Sequence, residues 1–148
     1  MTHTYTATIR WSCEGDFAKG RYSRAHEWAF DGGAVVPGSA SPLSVPLPYS
    51  DETAVDPEEA FIASVSSCHM MTFLDLARRA GYSVVTYNDA AKGVMEGEPN
   101  PWITRVDLFP KIEWVGDAPT ADALALLHHE AHARCFIANS IKSEVVVN

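Results

Sequence analysis

Residues 56–81, DPEEAFIASVSSCHMMTFLDLARRAG, constrain this chain more than any other stretch. Asp56 is a good helix N-cap, Pro57 fits the first helical position, and Glu58 and Glu59 suit the positive end of the helix dipole. Arg78, Arg79 and Gly81 close the run as a helix C-terminus should. From Phe61 to Leu74 there is no formal charge, and the helix is apolar on nearly every side. Such a helix is expected at the centre of a fold, buried, rather than on a surface.

The rest of the chain must supply its cover. TYTATIRWS (4–12) alternates and is rich in Thr, Tyr and Ile, which predicts a strand. GRYSRAHEWAFD (20–31) reads as one or two more, with Gly32 and Gly33 as a turn. Residues 34–55, with Pro37, Pro42, Pro46 and Pro48, read as a long loop. YSVVTYNDAAKGVME and WITRVDLFPKIEWVG read as two strands joined by GEPNP. PTADALALLHHEAHARCFIANSI (119–141) predicts a second helix, capped by Thr120, with Leu124, Leu127, His128, Ala131, Cys135 and Ala138 in one stripe. KSEVVVN reads as a closing strand. The order strands, helix, strands, helix, strand predicts an α+β fold with a largely antiparallel sheet, in one domain over 1–148.

Composition removes several function classes. A net charge of −8 argues against nucleic-acid binding, which needs a basic footprint, and against docking on an anionic membrane. No stretch is expected to reach the roughly 18 apolar residues of a membrane span. MTHTYTATIRW lacks a basic region followed by an apolar one, so no signal peptide is expected and the cytoplasm is the default. Cys13, Cys68 and Cys135 make no disulfide framework and no CxxC pair.

Cys68 and Cys135 lie on inward-facing helical stripes, where a cysteine either packs or reacts. The thiolate is the reactive form, and Cys68 sits about three turns past Pro57, beyond the reach of the helix dipole. A cation must come from elsewhere, and Arg24, Arg21 and Arg10 on the N-terminal strands are the candidates. Glu58 lies about 15 Å along the helix from Cys68, so a role at that thiol requires a second chain. Glu59 reads as an ordinary helix-start acid. HHEAH (128–132) places His128 and His132 at a usable zinc spacing, but it falls one residue short of H-E-x-x-H and reads as a polar helix flank. His69 points about 100° away from Cys68, which disfavours a Cys–His dyad. Cys13 reads as a bystander.

Together these stretches resemble the OsmC/Ohr family of osmotically inducible and organic hydroperoxide resistance proteins. Pro57, Glu58 and Cys68 match its N/D-P-E-E/Q start and the cysteine ten residues beyond the first acid. AHARCFIANSIKSEVVV is similar to its second motif, with Cys135 as the second cysteine, 67 residues after the first. The resemblance implies an intertwined homodimer, with antiparallel sheets packed around two long central helices and sites at the subunit interface. It also implies thiol-dependent reduction of organic hydroperoxides. Cys68 would attack the peroxide and Cys135 would close a disulfide within the chain. A dithiol, lipoyl-type in parts of the family, would restore both thiols. No cofactor or metal is implied, and no nucleic-acid or membrane partner. Two departures stand out. Phe136 follows Cys135 where the family often has proline, and loop 32–57 holds no arginine, so Arg24 is chosen ahead of Arg21 and Arg10. The alternatives are a non-enzymatic protein of the same fold, binding an apolar ligand or partner in the dimer cleft, and a metal-dependent hydrolase built on the histidines.

Overall fold

All of Met1–Asn148 is described by the structure, a computed structural model. The residues fall into two units, Met1–Ala60 and Phe61–Asn148.

In the first unit, β1 (Ala7–Arg10), β4 (His26–Phe30) and β5 (Val35–Gly38) form an antiparallel sheet in the order β1-β4-β5. A short hairpin of β2 (Gly15–Asp16) and β3 (Arg21–Tyr22) stands beside a one-turn helix at Phe17–Lys19. The expected strands at 4–12 and 20–31 are present. The expected loop from residue 34 is corrected, because its first residues pair with β4. Pro37 does not prevent this, since β5 is the last strand in the order β1-β4-β5 and an edge strand tolerates proline. Loop 39–56 is then pinned by backbone bonds, Ser39 N–H to Val55 at 3.1 Å and Val55 N–H to Pro37 at 3.0 Å. Ser39 Oγ also accepts from Asp51 N–H at 3.0 Å.

Helix α1 (Pro57–Arg79) begins where the sequence predicts. Asp56 Oδ1 accepts from Glu59 N–H at 2.8 Å, and Glu59 Oε2 accepts from Asp56 N–H at 3.2 Å, a reciprocal capping box. At the other end Gly81, with φ +89°, turns the chain, and Tyr82 N–H closes back on Ala77 at 3.0 Å.

In the second unit, β6 (Ser83–Asp89) pairs antiparallel with β9 (Pro110–Val115). β7 (Lys92–Glu96) pairs antiparallel with β8 (Trp102–Leu108), and β10 (Glu144–Val147) pairs with β8 in parallel. The two expected strands are thus four, and one pairing is parallel rather than antiparallel. Asp89 explains the break: its Oδ1 accepts Phe109 N–H at 2.7 Å, and its other oxygen accepts Ser66 Oγ–H of α1. One carboxylate so fixes the end of β6 and the step from β8 to β9.

Helix α2 (Ala121–Arg134) is shorter than expected. Cys135 leaves the helix at φ −71° and ψ 116°, and a one-turn helix follows at Ala138–Ser140. The stop has a local cause. Asn139 Nδ2 donates to the Ala133 carbonyl at 3.0 Å, satisfying an acceptor that a longer helix would have used.

Two apolar clusters fill this unit. Val65, Val106 and Leu108 form one; Phe73, Ala77 and Ala131 form the other, with Tyr82, Tyr87 and Trp114 around Phe73. Burying each large side chain contributes about 1.5–3 kcal/mol. Within one chain α1 is covered on one face. Val65, Cys68, His69, Phe73 and Ala77 are buried on one face, while Ala63, Ser67 and Met71 on the opposite face are exposed. The expectation that no stretch is long and apolar enough to cross a membrane is corrected as well, since α1 is so by length and composition alone.

Candidate active site

Cys68 and Cys135 come together. Cys68 lies on the buried face of α1, Cys135 immediately after α2, and both are free thiols. They lie close enough for Cys68 to act on the Cys135 thiol. Burial, and then the bond to Cys68, push the Cys135 thiol above its usual range; the Ala138 N–H, which reaches Cys135 Sγ at 3.4 Å, opposes this. Departure from the helix is what turns the Cys135 sulfur toward Ala138 and Cys68 together. Within the chain Cys68 is 9% exposed and Cys135 fully enclosed. Cys13 is exposed and stands apart in the first unit, its sulfur 3.8 Å from the Gly15 carbonyl.

Arg24 belongs to the first unit, where it is half-buried while Arg10 and Arg21 are exposed. Its guanidinium lies 3.6 Å over the Tyr22 ring and donates to the Gly20 and Tyr22 carbonyls. His26 fixes the adjoining backbone. Trp28 Nε1–H donates to His26 Nε2 at 2.6 Å, so Nδ1 carries the ring proton and donates to the Arg24 carbonyl at 2.7 Å. Gly38 is required beside them, because a Cβ there would run into Trp28 Nε1 and His26 Nε2. Arg24 lines an open apolar pocket of about 450 Å³ with Ile9, Trp11, Phe17 and Tyr22. Glu58 is half-buried and takes no part in the capping box, and no ion pair joins it to Arg24 within the chain.

The reading of HHEAH as a polar flank is corrected at His128, which is 9% exposed, in line with its place in the apolar stripe. Its Nδ1 meets His69 Nε2 at 3.0 Å, with the rings stacked at 5.3 Å and 9°. Phe73 stacks on the other side at 4.4 Å. Burial lowers both histidines, His69 to about 4; His128 and His132 depress His69 further, and Asp89 opposes the shift in both. Tyr87, buried nearby in the same cluster, is pushed above its usual range by burial and then by Asp89. Sequence reasoning missed the pair because it weighed His69 only against Cys68. The available signal was His128 in a stripe otherwise made of Leu, Ala and Cys.

No match was found among curated proteins. An OsmC-like protein of unknown function from Vibrio cholerae is 43% identical, with 99% of each chain covered and a TM-score of 0.95. At 18% identity the fold alone is shared with an organic hydroperoxide resistance protein OsmC from Legionella pneumophila, covering 99% of this chain and 96% of that one at a TM-score of 0.68. The same holds for an organic hydroperoxide resistance protein from Elizabethkingia anophelis, at 18% identity, 99% and 95% coverage and a TM-score of 0.69. The sequence model of the family described as OsmC-like protein matches residues 50–148, which include both thiols, and the chain belongs to that family.

Proposed function

We propose that this protein reduces organic hydroperoxides with Cys68 and Cys135. The observation that carries the reading is the pairing of two buried free thiols from separate elements. Cys68 sulfur attacks the outer peroxide oxygen, the O–O bond breaks, and the alkoxide leaves protonated as an alcohol. Cys68 is then a sulfenic acid. Cys135 sulfur attacks Cys68 sulfur, the hydroxyl leaves as water with the proton Cys135 carried, and a disulfide joins the two. A dithiol, lipoyl-type by family resemblance, takes the disulfide's place as oxidised product and returns two thiols.

Arg24 and Glu58 complete the site in this reading, within a homodimer in which a second copy brings Glu58 to the partner's thiol. Support comes from the exposed face of α1 and from the apolar pocket around Arg24, both short of cover in one chain. That pocket also favours an alkyl or aryl group over hydrogen peroxide, by about 25 cal/mol per Å² of apolar surface removed from water. The residues around Cys68 in sequence, Val65, Met71, Thr72 and Phe73, would be expected to line the site for such a group, and that expectation needs revision here. Val65 and Phe73 are wholly enclosed in the core and Met71 is 61% exposed, so none of the three forms an open apolar wall beside the thiol.

A second reading, binding of an apolar ligand without turnover, is favoured by the same aromatic pocket. Stopped-flow oxidation separates the two. Reaction of Cys68 with cumene hydroperoxide faster than a free thiol, and faster than with hydrogen peroxide, supports the enzyme. A rate equal to that of a free thiol supports the binding protein.

A further inference from the structure

The buried His69–His128 pair is unused by the thiol chemistry, yet it joins the elements that carry it. His69 follows Cys68 directly on α1, and His128 lies about two turns before Cys135 on α2. The two helices therefore meet through a polar contact, imidazole to imidazole, beside the apolar one among Phe73, Ala77 and Ala131. The imidazole contact is enclosed, with His69 1% exposed and His128 9%, and Phe73 clamps the second ring. A buried hydrogen bond at 3.0 Å between planar rings fixes direction as well as distance, which apolar packing does not. His69 Nδ1 has no partner at all, so the pair is held at the cost of one orphaned nitrogen. A core selected for packing alone would place Leu or Phe at both positions.

We propose that the His69–His128 hydrogen bond is a strut that sets the separation of the Cys68 and Cys135 sulfurs, making both histidines positioning residues for disulfide formation. This rests on the reading of the two cysteines as a working pair. It does not rest on the peroxide being the oxidant. The strut holds the C-terminal half of α2 at one height on α1. Cys135, having left the helix, is held by its bonds to His132, Ala138 and Asn139, all within four residues of it in the chain. A shift of about 1 Å between reacting groups is enough to cost on the order of 100-fold in effective concentration.

The test uses oxidised glutathione as the probe, so that failure of peroxidase activity does not disturb it. Cys68 and Cys135 lose two electrons and two protons to the glutathione disulfide, which leaves as two thiols. The equilibrium constant is read by alkylation and mass spectrometry. His69→Leu keeps the volume without the hydrogen bond and should lower the constant at least about tenfold. His69→Gln, whose amide reaches the Nε2 position, should recover most of it at an equal or lower melting temperature. His128→Leu against His128→Asn repeats the comparison from the other helix, and decides it if His69→Leu does not fold. Ring ¹⁵N shifts of the reduced wild-type protein should show a proton shared between His69 Nε2 and His128 Nδ1. Leucine variants with unchanged constants, amide variants no better than leucine, or separate protons in the ¹⁵N spectrum would each overturn the strut.

Discussion

Residues 1–60 and 61–148 are built on opposite plans. Every buried apolar side chain, from Val65 to Cys135, lies in the second region. The buried side chains of the first are Ser39, Ser50 and Asp56, all polar. Its apolar groups face water instead: Ile9 at 59%, Phe17 at 61% and Leu43 at 99% exposure. All four residues of β1 are exposed. The second region has the core of a small stable domain, whereas the first has sheets and an aromatic pocket but no core of its own. A short sheet without a buried face is marginal in water. The difference teaches that the first region is shaped for a surface one chain leaves unfilled, which is the physical ground for proposing a second copy.

The comparison can be broken most directly through its cysteines. Cys68→Ser in the second region should reduce peroxide consumption by at least about 1000-fold, as loss of a nucleophile does. Cys13→Ser in the first should leave it unchanged. A Cys68→Ser protein that keeps most of its turnover removes the thiol assignment. After one equivalent of hydroperoxide, non-reducing electrophoresis should show a monomer of altered mobility, while native sizing shows a dimer. A cross-linked band that vanishes in Cys135→Ser would place the bridge between chains.

Stability should separate the regions next. Leu108→Ala opens a cavity in an enclosed core and should cost about 2–5 kcal/mol at any protein concentration. Ile9→Ala should cost less, and its cost should shrink on dilution, because its cover comes from association and that contribution vanishes as the copies separate. Thermal melts across a hundredfold range of protein concentration check both. If neither variant depends on concentration, the first region is not completed by a second copy.

Acid should act on the second region. His69 is neutral in the fold down to about pH 4, whereas the unfolded chain takes up the proton near the ordinary value of 6.5. The unfolded state therefore binds more protons in this window. Stability is fully present above pH 6.5 and falls as pH drops toward 4, by at most about 1.4 kcal/mol per unit from this one group. His128, lowered by burial, adds in the same direction. The facing groups are His128 and His132 from α2 and Asp89 from β6, and the carboxylate opposes the shift. Denaturant titrations at pH 7, 5.5 and 4.5 should show the slope, and His69→Gln should flatten it. An equal slope in that variant would assign the acid sensitivity elsewhere.

What could be read from the sequence follows the range of the interactions. The start and stop of α1 were legible because Asp56, Glu59 and Gly81 act on backbone within one turn. The two thiols were legible as candidates because their motifs are local. Their contact was not, since it depends on where α2 ends, and Asn139 decides that through a single amide bond to Ala133. The split of two strands into four was hidden for the same reason: Asp89 reaches Ser66 on one side and Phe109 on the other, 23 and 20 residues away. The role of Pro37 depended on edge position, which only the assembled sheet defines.

The smallest effect is the sharpest test of how sequence neighbours divide their work. Glu58 and Glu59 are adjacent, equally charged and equally placed for the helix dipole. The structure separates them. Glu59 is exposed and returns to Asp56 N–H at 3.2 Å, so its carboxylate is committed to the helix start. Glu58 is half-buried and stands outside that box, free to act on something beyond its own helix. Glu59→Ala should thus cost a few tenths to about 1 kcal/mol of stability and leave turnover intact. Glu58→Gln keeps the shape and removes the charge, so it should leave the melting temperature nearly unchanged and lower kcat/KM for an organic hydroperoxide. Arg24→Met should lower kcat/KM in the same way, and the double variant should lose less than the sum of the two if carboxylate and guanidinium act as a unit. Equal losses of activity at Glu58 and Glu59 would return both acids to the dipole alone. Full additivity with Arg24→Met would separate Glu58 from the arginine.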